Sequence, residues 1–121
     1  MWNLDRVADY RRFEPRVASA RAALAAKPDD ARALLTMAQW YDFRGVYAWA
    51  ADLYGQARAA GVEVRSLDLA RCYWRLGRLS EAREEFRAAA ARNEASAKYL
   101  TLCLEAVGSD IARPPTTLPH P

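Results

Sequence analysis

Histidine is almost missing from this chain. The one imidazole, His120, lies in a proline-rich C-terminal stretch. No Ser/His/Asp or Cys/His arrangement can be assembled, no metal-ligand cluster is visible, and no glycine-rich phosphate loop follows a strand-like run. An enzyme is therefore not expected, and neither is a metal or other cofactor. Cysteine is nearly as scarce. Cys72 and Cys103 make neither a disulfide framework nor a zinc site. Cys103 fits a small-residue place and is expected as a buried free thiol, with a disulfide across neighbouring helices as the alternative. Lysine is limited to Lys27 and Lys98, and arginine carries the remaining positive charge. That bias, with abundant alanine, points to a GC-rich bacterial genome. The net charge is only +3, and Arg11-Arg12 is the one adjacent basic pair. Nucleic-acid binders cluster their positive charge on one stripe, so no nucleic-acid partner is expected. No stretch approaches the ~20 apolar residues of a membrane span. The opening MWNLDRVADYRRFEPR lacks the charged start and apolar run of a secretory leader. Direct membrane insertion is thus not expected, and the cytoplasm is the default location.

What the chain does have is self-similarity. Met37-Ala38-x2-Tyr41-x3-Gly45-x4-Ala50-x3-Tyr54-x2-Ala57 returns as Leu69-Ala70-x2-Tyr73-x3-Gly77-x4-Ala82-x3-Phe86-x2-Ala89, 32 residues later. Seven positions keep their size class and spacing. A period of this length implies a stack of helical hairpins. Alanine is the best helix former, while glycine and proline sit at a few separated points. The expected fold class is all-α, in one domain.

The punctuation predicts the elements. A short helix is expected over 3–10, and a second over about 15–27 with Pro15 in its first turn. Helices follow at 31–44, capped by an aspartate, and 46–60, with Gly45 at the reversal. Gly55 inside the latter suggests close approach of another backbone. The next pair is expected at 63–76 and 79–92, turning at Gly77, with Ser80 near the N-cap. Asn93 is read as the cap of a last helix at about 94–107, ended by Gly108, with Glu94 and Lys98 as an i,i+4 pair. There Tyr99, Leu102 and Cys103 continue the register of Leu34, Met37 and Ala38. Residues 108–121 form a proline-rich extended tail.

This pattern resembles the tetratricopeptide repeat (TPR) family, with its small residue at Ala38 and Ala70 and its tyrosine at Tyr41 and Tyr73. The family's central alanine is matched by Ala50 and Ala82, and its aromatic by Tyr54 and Phe86. The resemblance implies a right-handed superhelical stack of antiparallel hairpins over 1–107. It divides into a degenerate repeat 1–30, repeats 31–62 and 63–94, and a cap helix 94–107. Leu34 and Ser66 replace the family's first tryptophan, and the repeats are two residues short.

In that family the first helices of successive hairpins line a concave groove. The positions left over once the core pattern is removed are Arg32, Leu35, Gln39, Asp42 and Phe43 on the first such helix. On the second they are Val64, Leu67, Arg71, Trp74 and Arg75, and on the cap helix Leu100 and Leu104. Two arginines beside a tryptophan suit a partner segment with apolar anchors and an acidic group. The carboxylate clamp of chaperone-binding relatives is not expected, because Leu35, Gln39 and Val64 stand near its places. Trp49 is a second candidate contact, on the convex side. The implied function is a non-catalytic protein–protein interaction module, an adaptor or assembly subunit. The alternatives are a small chaperone shielding an apolar client segment, or a self-associating scaffold.

Overall fold

The computed structural model describes residues 4–113, with side chains from residue 7 onward. All regular structure among them is helical: α1 Leu4–Ala26, α2 Ala31–Phe43, α3 Tyr47–Ala59, α4 Ser66–Arg75, α5 Leu79–Ala91 and α6 Ala97–Ala112. None is long and apolar enough to cross a membrane. Most of the expected tail, from residue 114, lies outside the described residues. Contacts divide the chain into two compact units, Met1–Val64 and Arg65–Pro121.

In the first unit α2 and α3 form a hairpin. Asp30 starts it, its carboxylate accepting the Ala33 N–H at 2.9 Å. Gly45 turns the chain at φ +79°, a region closed to most side chains. Ala38, Ala50 and Ala57 are fully buried, which lets the two backbones approach. The Tyr54 hydroxyl, at the end of a buried ring, donates to Asp42 at 2.9 Å and ties α3 to α2. Asp42, expected in the groove, is therefore spent within its own hairpin.

α1 departs from expectation. The sequence pattern predicts a break before Pro15, but one helix runs through it. An interior proline costs about 3 kcal/mol, because it removes an N–H and crowds the preceding turn. Packing on both sides of it offsets that cost. Tyr10 and Phe13 meet the Trp40 ring at 5.1 and 5.8 Å, and Val17 and Ala20 join the same apolar cluster beyond the proline. One helix thus stands where two were expected.

Gly55 also reads differently in three dimensions. A Cβ built there would meet nothing within 4 Å, so no backbone approaches. The residue is exposed within a helix and has no special φ. Gly55→Ala is expected to raise stability by about 0.5–1 kcal/mol, through a less flexible unfolded chain. Urea unfolding would check this, and a loss of stability would mean that the open space is used.

The second unit repeats the hairpin with α4 and α5 and adds α6. Gly77 makes the turn at φ +76°. Its core joins Leu67, Ala70, Ala82, Phe86 and Ala89 with Leu100, Cys103 and Val107 of α6. Cys72 and Cys103 are both buried and are not joined in a disulfide. Three end signals are corrected. Ser80 does not cap α5, which begins at Leu79 without a side-chain cap. Asn93 does not start α6; it closes α5 at φ +54°, as one of the few residues besides glycine that visit this region. Ser96 caps α6 instead, accepting the Tyr99 N–H.

Glu94 has a different job from the expected pairing with Lys98. Its carboxylate accepts the Ser66 and Leu67 N–H groups at 3.2 and 2.8 Å. The N-cap position of α4, Arg65, offers no side-chain cap, so Glu94 supplies it from far along the chain. A negative charge here also meets the positive end of the helix dipole. Gly108 does not end α6. Val107 is buried and Asp110 accepts a hydrogen bond from Trp74, so the turn containing Gly108 is held helical from both sides.

Candidate functional site

α4 is short, and its two faces are sharply different. Leu67 and Ala70 enter the core, while Arg71, Trp74 and Arg75 follow one another at helical spacing on the adjoining face. Three residues assigned to the groove are corrected: Leu67, Leu100 and Val64. Leu67 and Leu100 are 3% and 2% exposed and serve the core of the second unit, where they flank Phe86 and Val107. Leu104 is partly buried against the same cluster. Val64 is buried as well.

The remaining three come together. Arg71, Trp74 and Arg75 line an open pocket of about 350 Å³ with Tyr99 of α6. The Arg71 guanidinium donates to the Tyr99 hydroxyl at 2.7 Å and lies 5.5 Å from the centre of its ring. That hydrogen bond is the main reason the Arg71 pKa is raised above its usual value, with burial opposing it. The cation is thus fixed in place as well as permanently charged. Trp74 is half-buried, its ring edge-on to Phe86 at 5.8 Å and its indole N–H donated to Asp110 at 2.9 Å. One aromatic wall and a positioned guanidinium form a site suited to a carboxylate with apolar flanks.

Tyr99 and Asp110 were not singled out from the sequence for this site. Tyr99 looked like a core-register residue, and Asp110 fell beyond the glycine expected to end the last helix. Continuing α6 past Gly108 would have placed Asp110 one heptad after Cys103, on the side facing α4 and α5.

The first unit holds the other candidates. Arg32 is exposed and lines a shallow depression with Pro15, Arg16 and Thr36. Leu35 and Gln39 are half-buried. Phe43 belongs to an aromatic cluster, 5.2 Å from Phe13 and 6.3 Å from Trp40. Trp49 is 60% exposed and edge-on to Tyr41 at 5.1 Å. With Leu24, Met37, Asp52 and Leu53 the pair lines a pocket of about 380 Å³. Among the described residues no group of three His, Cys, Asp or Glu could hold a metal ion. No protein-family model matches this chain, and no curated protein matches it.

Proposed function

We propose that the chain is a non-catalytic protein–protein interaction module that holds an acidic segment of a partner protein at Arg71, Trp74, Arg75 and Tyr99. The observation that carries this reading is their convergence on one pocket, with two guanidinium groups beside two aromatic rings. The tetratricopeptide-like reading of the hairpins is supported by the matched buried alanines and the matched positive-φ glycines of the two copies. In that reading the protein acts in the cytoplasm as an adaptor or assembly subunit.

The test is a titration of the full chain with fluorescent peptides that carry apolar residues around one or two carboxylates. Binding is expected to weaken with salt, because exposed charges are screened. Arg71→Ala with Arg75→Ala is expected to reduce affinity about tenfold or more and to flatten the salt dependence. Equal binding of amidated, uncharged peptides would remove the acidic-partner reading.

A second reading rests on Trp49. Its exposed ring above Leu24, Met37 and Leu53 favours capture of an apolar client segment, as a small chaperone would achieve it. Uncharged apolar peptides would then bind, and Trp49→Ala would abolish that binding.

A further inference from the structure

α6 packs on α5 through Leu100, Cys103 and Val107, and the repeat register shows what is odd about its other face. Met37 and Leu69 occupy equivalent places and are 6% and 1% exposed. The next equivalent residue is Leu102, which is 57% exposed. In both earlier copies the helix that carries this residue is followed by a second helix packed along it, α3 on α2 and α5 on α4. No such helix follows α6 among the described residues. Leu102 is a core-type residue that no helix covers among the described residues.

The face around it has the layout of a coiled-coil seam. Tyr99, Leu102, Ala106 and Ser109 fall at a and d spacing. Tyr99 is 37% exposed, with Arg71 over one side of its ring. Lys98 and Glu105 are one heptad apart, so they flank the seam on the same side, opposite the Cys103 flank that meets α5. Both are exposed, and neither has an ion-pair partner among the described residues.

That charge order is self-complementary in one orientation. A twofold axis across an antiparallel pair sets like flank against like flank and reverses direction. Centred near Leu102, it puts Lys98 beside the partner's Glu105, and Glu105 beside the partner's Lys98. A parallel pair would instead turn Lys98 toward the Cys103 flank, which α5 occupies. From the exposed seam and this charge order we propose that the chain self-associates through the outer face of α6, as an antiparallel twofold dimer with Leu102 at its centre. The inference rests on the seam and its charge order, although Tyr99 belongs both to this seam and to the Arg71 pocket.

Sedimentation equilibrium of the full chain, from micromolar to millimolar concentration, tests it. The wild type is expected to show a monomer–dimer equilibrium that weakens with salt, and Leu102→Glu is expected to remain monomeric with unchanged helicity. Lys98→Glu and Glu105→Lys alone are each expected to weaken the dimer about tenfold or more, because like charges then face each other. Mixed together, the two variants are expected to pair as well as the wild type, since both contacts become attractive again. The doubly swapped chain, K98E with E105K, should also dimerise. A wild type that stays monomeric throughout would overturn the proposal. So would a dimer that survives Leu102→Glu, or single charge variants that fail to recover on mixing.

Discussion

Phe86→Ala is expected to lower the free energy of unfolding by about 3–5 kcal/mol, the usual cost of emptying a buried phenylalanine site. Phe86 is fully buried, and its neighbours come from all three helices of the second unit: Leu67 and Ala70 from α4, Ala82 and Ala89 from its own helix, and Leu100, Cys103 and Val107 from α6. Many of these are already small, so the cavity cannot be filled by a rotamer change. Removal of the ring also takes away the edge-on contact with Trp74. The control on the same helix is Arg87→Ala. Its pairing with Glu84 is on the surface, and such pairs contribute about 0–1 kcal/mol. Urea denaturation of both variants, followed by far-UV circular dichroism, gives the comparison. Similar losses at the two positions would mean that the repeat register is displaced.

The equivalence of Tyr54 and Phe86 was legible in the sequence, and so was most of the two hairpins. Ala38 and Ala70, Ala50 and Ala82, and Ala57 and Ala89 are all fully buried, as the 32-residue offset requires. Gly45 and Gly77 share a positive φ within a few degrees. These features follow from short-range constraints: a close helix crossing favours small residues such as alanine, and a left-handed turn favours glycine. What the pattern missed depends on partners distant in sequence. Pro15 stays inside α1 because Trp40 grips the aromatic residues before it. Gly108 stays inside α6 because Trp74 holds Asp110 beyond it. Glu94 looked like one half of a local helix pair, yet it caps α4 through a contact that the linear spacing does not reveal. The candidate site divides in the same way. Arg71, Trp74 and Arg75 could be chosen from one helix face. Exclusion of Leu67 and Leu100 required knowing how deeply α6 enters the core.

Trp74→Ala is expected to lower both stability and affinity for an acidic peptide, and the two losses have separate causes. The ring is half-buried against Phe86, and its N–H is the donor to Asp110. Loss of the packing, and of the indole donor to a carboxylate that still has the Arg113 guanidinium at 3.5 Å, should together cost about 2–4 kcal/mol of folding free energy. In binding, Trp74 is the aromatic wall of the pocket, and its loss should weaken peptide affinity by about 2 kcal/mol or more, as at other hot-spot tryptophans. Trp74→Phe separates the effects. It keeps a ring against Phe86 and facing the peptide but cannot donate to Asp110, so about 1–2 kcal/mol of stability should go while most of the affinity remains. Calorimetric titration well below the unfolding midpoint of every variant keeps the two readouts apart. Trp49→Ala, in the other unit, should leave the affinity for acidic peptides unchanged. If instead Trp49→Ala removes binding while Trp74→Ala and the paired arginine substitutions leave it intact, the protein works through the Tyr41–Trp49 pocket. The arginine pocket would then be a structural feature of the hairpin.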